Sequence, residues 1–137
     1  MLKKDKKIEL ISHVPLFADC SRRELRELAE TIDEIVVPAG YQLTKEGAAG
    51  REFVVIIDGA ADVIRRGRKV NELGPGDFLG EIALVSGQPR TATVKTTMPT
   101  HALVLTASAF RSLLRRLPSM QWKVMEALAT RLPPEIG

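Results

Sequence analysis

Residues 53–67 read Phe53-Val54-Val55-Ile56-Ile57-Asp58-Gly59-Ala60-Ala61-Asp62-Val63-Ile64-Arg65-Arg66-Gly67. Two short runs rich in β-branched residues, Phe53 to Ile57 and Ala61 to Ile64, are each followed by a pair suited to a tight turn. A two-residue hairpin turn needs positive φ, which glycine supplies at no steric cost. Asp58-Gly59 is therefore the stronger hairpin signal and Arg66-Gly67 the second. Strands joined in this way run antiparallel. The same texture extends from Glu34 to Thr106, through Ile35-Val36-Val37, Thr93-Val94 and Ala102 to Leu105. Many short strands at regular spacing predict an antiparallel β-roll or jelly roll, a double-stranded β-helix.

Helical patterns flank this block. Ser21-Arg22-Arg23-Glu24 has the form of a capping box, and Leu25, Leu28, Ala29 and Ile32 follow at helical spacing, which predicts a helix over 21–31. Thr106 or Ser108 can cap a helix that runs through Leu114 and is interrupted by Pro118. Ser119 to Leu132 predicts a last helix with Trp122, Met125, Leu128, Ala129 and Leu132 on its apolar side, ended by Pro133-Pro134. The expected fold class is α+β, a roll between amino-terminal and carboxy-terminal helices. No repeat, low-complexity run or linker divides the chain, so residues 1–137 are expected to form one domain.

Composition narrows the function classes. A chain of 137 residues buries on the order of two thirds of its unfolded surface, enough for one ordinary core. Apolar residues at 45% and charged residues at 27% lie near globular averages and signal neither disorder nor a membrane span. The lone Cys20 excludes an internal disulfide and fits a reducing compartment. Lys3, Lys4, Asp5, Lys6 and Lys7 are not followed by the apolar stretch of an export signal, so a cytoplasmic location is expected. The net charge of +3 is interleaved with acids. Its densest runs, Lys3 to Lys7 and the Arg65-Arg66-Gly67-Arg68-Lys69 turn, are expected to be solvated surface rather than a nucleic-acid stripe.

A second stretch points to a ligand. Gly80 to Thr93 reads Gly-Glu-Ile-Ala-Leu-Val-Ser-Gly-Gln-Pro-Arg-Thr-Ala-Thr, a short helical run closed by a glycine and a proline and followed by arginine and small residues. A helix start offers backbone N–H groups without internal partners and the positive end of the peptide dipoles. Arg90 can return across that helix as a forked, permanently charged donor set suited to phosphate. Glu81 accepts only, and beside a phosphate it fits a ligand hydroxyl. In isolation Arg90 reads equally well as a surface ion pair and Glu81 as an exposed helix-start carboxylate. Together, at this spacing, they describe an anion plus a sugar hydroxyl, as in a nucleotide.

Leu79-Gly80-Glu81-Ile82-Ala83-Leu84 and Pro89-Arg90-Thr91-Ala92 resemble, without a gap, the phosphate-binding cassette of the cyclic nucleotide-binding domain family. Val14-Pro15-Leu16-Phe17, Glu46-Gly47, Asp58-Gly59 and Leu73-Gly74-Pro75-Gly76-Asp77 extend the likeness over residues 8–132. Leu79 stands where the family usually has an aromatic residue, with Phe78 one place earlier. The resemblance implies a non-catalytic receptor for cyclic AMP, with cyclic GMP also accepted. Arg90 would bind the exocyclic phosphate oxygens with the amides of Ala83 and Thr91. Glu81 and the Gly80 amide would take the ribose 2′-hydroxyl. Ile82 and Ala92 complete the cassette, and Val63, Leu79 and Val94 are candidates for the wall around the base. Thr91, a hydroxyl residue after the cassette arginine, is associated in this family with cyclic GMP binding. The family's last helix acts as a lid that signals to an attached module, with Met125, Leu128 and Arg131 as candidate lid residues. At helical spacing such a stripe reads equally as a core face.

Other classes fit less well. A cupin-type metal enzyme needs clustered ligands, and His13 and His101 stand far apart in sequence. No serine lies in a Gly-x-Ser-x-Gly turn. A helix-turn-helix unit of the catabolite-activator type would need about sixty further residues beyond the last helix. No metal, cofactor, DNA-binding module or membrane segment is expected in residues 1–137. The closest rival is a β-roll interaction module that has lost nucleotide binding.

Overall fold

Ser21 caps the first predicted helix as its sequence requires. Its side chain accepts from the Glu24 amide at 3.1 Å while the Ser21 amide donates to the Glu24 carboxylate at 2.7 Å, so two otherwise unpartnered donors are satisfied reciprocally. The computed structural model describes residues 4–131, with side chains for 5–130. In chain order the helices are α1 (Lys4–Ser12), α2 (Arg22–Thr31), α3 (Glu81–Ser86), α4 (Ala107–Arg116) and α5 (Pro118–Arg131). The strands are β1 (Asp33–Val37), β2 (Gln42–Thr44), β3 (Glu52–Asp58), β4 (Ala61–Arg65), β5 (Arg68–Leu73), β6 (Phe78–Leu79), β7 (Thr93–Thr96) and β8 (Thr100–Thr106). Leu132 and the expected stop at Pro133-Pro134 lie outside the described residues.

The strands form two antiparallel sheets, ordered β1-β8-β3-β6 and β2-β7-β4-β5. Successive strand residues point to opposite faces, and β3 is buried on both. Phe53 and Val55 join Leu103 and Leu105 of β8 in a core with the helices, where Phe53 stacks on Phe110 of α4 at 4.3 Å. Val54 and Ile56 join Ala102 and Val104 in a second core between the sheets, with Ala61, Leu73, Leu79 and Val94. Burial on both faces explains why Phe53 to Ile57 is an unbroken apolar run rather than an alternating one.

That double burial also corrects the turn at Asp58-Gly59. It joins β3 to β4, but these strands belong to different sheets and do not pair, so the turn is a crossover and not a hairpin. The demand at Gly59 is close approach. At φ 112°, a Cβ there would lie 2.4 Å from Thr100 Oγ1 and 2.7 Å from Thr100 Cα. Arg66-Gly67 is the true hairpin. Both residues have positive φ, 53° and 76°, and Arg65 stands opposite Arg68, which with Lys69 opens β5 rather than extending the turn.

The helices differ from expectation at both ends. The charged amino-terminal run enters α1, which buries Ile8 and Ile11 one turn apart. In α5 the apolar side is rotated from the one predicted: Met120 and Val124 are buried, Leu128 is half-buried, and Trp122, Met125 and Ala129 face outward. Apolar residues lie nearly all round this helix, so spacing could not select a face. Its entry selects it, because Leu117 alone separates α4 from α5 and the Gln121 side chain donates back to the Leu114 carbonyl at 2.6 Å.

Candidate functional site

The site is built around Gly80, which turns the chain from β6 into α3. Its φ of 100° is open to glycine, and a Cβ there would sit 2.6 Å from both Arg90 Nη1 and the Glu52 carbonyl oxygen. The turn therefore closes directly onto the arginine. Arg90 Nη1 donates to the Gly80 carbonyl at 3.1 Å and Nη2 to the Glu52 carbonyl at 2.6 Å. Its backbone is tied to the loop between β2 and β3, Arg90 N to Ala48 O at 2.8 Å and Gly47 N to Arg90 O at 2.9 Å. In that loop Gly50 leaves room for both Ala83 and the guanidinium, since a Cβ would meet Ala83 Cβ at 2.5 Å and Arg90 Cζ at 3.3 Å.

Arg90 is only 8% exposed and Glu81, the first residue of α3, only 1%. Burial pushes the guanidinium below its ordinary pKa, while the Glu52 and Glu81 carboxylates act in the opposite sense. A surface ion pair is therefore the wrong description of Arg90, and Glu81 is not an exposed helix-start carboxylate. Burying an arginine and a carboxylate on one short helix and the loop after it is costly and creates a rigid polar end to a cleft.

That cleft has a volume of about 320 Å³, near the lower end of the range typical of small-ligand sites, roughly 300–1,000 Å³. It brings together Gly80, Glu81, Ile82, Ala83, Arg90, Thr91 and Ala92 with Leu79, Val63 and Val94. Sheet register explains the opposite wall. Thr44, Val94, Val63 and Asn71 stand directly opposite one another across β2, β7, β4 and β5, a single cross-strand row that lines the cavity. Thr44 locks this row to the segment after Arg90, its hydroxyl donating to Ala92 O at 3.0 Å and accepting from Val94 N at 3.1 Å. Arg65 Nε donates to Thr91 O at 3.1 Å.

The candidates on α5 fall elsewhere. Met125 and Leu128 line a second groove, about 410 Å³, with Leu84, Val85, Arg111 and Leu114, whereas Thr130 of α5 reaches the first cavity. The side chain of Arg131 lies outside those described. Sequence reasoning missed Gly50, Thr44, Arg65, Val70, Asn71, Leu73 and Thr130. Period-two counting from Ala61 through Val63 would have found Arg65. Thr130 carried no signal, because its place depends on how α5 is rotated. Among the described residues no three His, Cys, Asp or Glu side chains gather as a metal site. His101 pairs with Glu34 at 2.7 Å, and His13 Nδ1 lies 2.8 Å from the Glu9 carbonyl oxygen.

Comparison with known proteins bears on the same segment. A protein-family model described as "Cyclic nucleotide-binding domain" matches residues 34–117. A cyclic nucleotide-gated potassium channel of Rhizobium etli is 35% identical over 112 residues, 82% of this chain and 31% of the channel. A cAMP-dependent protein kinase regulatory subunit of Yarrowia lipolytica is 34% identical over 104 residues, 76% of this chain and 28% of the subunit. A solved structure described as Sp-2Cl-cAMPS bound to PKAR CBD2 superposes with a TM-score of 0.79 at 26% identity, over 94% of this chain and 91% of that one. The chain thus spans about three tenths of each of these two curated relatives.

Proposed function

The chain belongs to the cyclic nucleotide-binding domain family, and from that premise we propose a non-catalytic receptor that takes cyclic AMP, and cyclic GMP as well, in the cleft between α3 and the β2-β7-β4-β5 sheet. The observation that carries this reading is the buried Arg90 guanidinium, fixed by two carbonyls at the end of a cleft that also holds the buried Glu81. A cyclic phosphodiester is a single anion of the right charge for such a fork. Arg90 takes its exocyclic oxygens together with the Ala83 and Thr91 amides, and Glu81 and the Gly80 amide take the ribose 2′-hydroxyl. Val63, Leu79 and Val94 face the base.

The cAMP named for the kinase subunit and the cAMP analogue in the solved structure support cyclic AMP as the working ligand. Thr91 supports acceptance of cyclic GMP. Movement of α5 against the roll is the proposed output, passed to an attached effector. Thr130 in the cavity wall gives that helix a direct contact with the ligand space. No helix among the described residues is long and apolar enough to cross a membrane, and we place the domain in the cytoplasm.

Isothermal titration of the protein with cyclic AMP and cyclic GMP tests the proposal. Both are expected to bind below about millimolar concentration, and Arg90→Ala, which removes a charge-assisted partner worth about 1.5–3 kcal/mol, to weaken binding by roughly tenfold to a hundredfold or more. Absence of binding by the wild type would leave the rival reading, a β-roll interaction module in which Arg90 only braces the Gly80 and Glu52 carbonyls.

A further inference from the structure

Among the described residues three charged side chains line the cleft: Arg90, Glu81 and Arg65. Arg90 is already compensated, with two carbonyls bonded to its fork and the Glu52 and Glu81 carboxylates acting on its charge. Arg65, the last residue of β4, is not. Its Nε donates to the Thr91 carbonyl at 3.1 Å, and among the described residues its Nη1 and Nη2 groups bond to nothing and no carboxylate pairs with them. The hairpin itself works against a cation at this position. Arg65 stands directly opposite Arg68 on β5, and like charges that face each other across a strand pair oppose the pairing. The nearby carboxylate of Glu46 is engaged by the Arg66 backbone N–H instead.

The bond to Thr91 keeps this half-buried guanidinium beside the segment that follows Arg90. Because the charge of Arg90 is answered by the two carboxylates, a cleft without Arg65 would offer an anion hydrogen-bond donors but no net attraction. Arg65 leaves one positive charge over, which matches the single negative charge of a cyclic phosphodiester. At an effective dielectric constant of about 20, such a charge still acts over several ångströms without direct contact.

We infer that Arg65 is a second cationic binding residue of the cleft, which supplies the net positive charge that attracts the phosphodiester and holds the Thr91 segment that meets it. This rests on the cyclic-nucleotide reading of the cleft. Titrations with cyclic AMP and cyclic GMP, from about 50 mM to about 500 mM salt, separate charge from bracing. Arg65→Gln keeps a donor but removes the charge, and is expected to weaken both nucleotides equally, about five- to tenfold at the lower salt, because they share the phosphate and differ only in the base. The gap to wild type should narrow as salt rises. Arg65→Lys keeps the charge without the guanidinium fork, and is expected to stay within about threefold of wild type. Arg68→Gln removes the facing charge, which does not line the cleft, and should leave both affinities within about twofold. Arg65 lies outside both apolar cores, so its variants should fold. Equal losses in Arg65→Lys and Arg65→Gln would make Arg65 a brace for Thr91 alone. That result, no loss in Arg65→Gln, a loss confined to one nucleotide, or a loss in Arg68→Gln as large as in Arg65→Gln would overturn the inference. A wild-type protein that binds neither nucleotide overturns the reading of the cleft itself.

Discussion

At the scale of single residues the site is a contest between burial and charge. The Arg90 guanidinium survives removal from water because two carbonyls and two carboxylates compensate it, and those partners are held in place by the close approach at Gly80. Gly80→Ala forces a side chain onto both Arg90 Nη1 and the Glu52 carbonyl at a left-handed φ, so a loss of about 1–3 kcal/mol in stability is expected, together with weaker nucleotide binding. Gly87 at the other end of α3 is the control. It also has positive φ, 73°, but a Cβ there meets nothing within 4 Å, so Gly87→Ala should cost about 1–2 kcal/mol of stability and leave affinity unchanged. Denaturant titration paired with calorimetry separates the two variants, and equal affinity losses would break the link between Gly80 and Arg90. Cys20 behaves in the opposite way to a reactive thiol. Burial, then Glu24, raises its pKa, Lys123 opposes this, and Asp19 adds to it. A raised acid contributes stability below its unfolded value and loses it as pH rises through the folded one. Alkylation by iodoacetamide at about pH 8.5 should therefore be slower in the folded protein than in urea, and equal rates would show that the thiol is not protected.

At the scale of elements, helix ends are where sequence and structure agree best. Ser21 and Thr106 both cap through their hydroxyls, to the amides of Glu24 and Ala109. Replacing either by alanine should cost about 1 kcal/mol, read as a lowered urea midpoint with an unchanged slope. These ends were legible because a cap is local: its donor and acceptor lie three residues apart. The cassette was legible for the same reason, since Gly80, Glu81 and Arg90 are joined by one short helix and its exit loop. The crossover at Asp58-Gly59 was not. A turn records a change of direction, and whether the next strand pairs with the last or leaves for the other sheet is set by the double burial of β3. β5 was hidden because an edge strand that carries Arg68, Lys69, Asn71 and Glu72 has no apolar alternation to detect, which is also why Asn71 escaped notice. The rotation of α5 was decided by Leu117 and Gln121 at the preceding corner rather than by its own stripe.

At the scale of the whole molecule, β3 and β8 belong to both cores, one face of each strand packing on the helices and the other on the opposing sheet. The helical layer and the inter-sheet core that holds Leu79 and Val94 therefore share two strands, the route by which a disturbance on one side is expected to reach the other. Phe53 is the strongest test of this coupling. It is fully buried, stacks on Phe110 and contacts Phe78 at a ring separation of 5.4 Å. Phe53→Ala should cost about 3–5 kcal/mol. If the two cores are one cooperative unit, far-ultraviolet circular dichroism, dominated by the helices, and amide-hydrogen protection of β3 and β8 will be lost at a single shared urea midpoint in both wild type and variant. Separate midpoints would show that the helical layer and the roll unfold independently. The same coupling fixes what a bound nucleotide does to stability. A ligand that binds only the folded chain, present at a hundred times its dissociation constant, adds about 2.7 kcal/mol. Cyclic AMP at that excess should therefore raise the common urea midpoint of both probes together and restore much of what Phe53→Ala removes. A rise seen in only one probe would mean that the cleft stabilises the sheets without the helices, and a signal could not pass from the cleft to α5 through the shared strands.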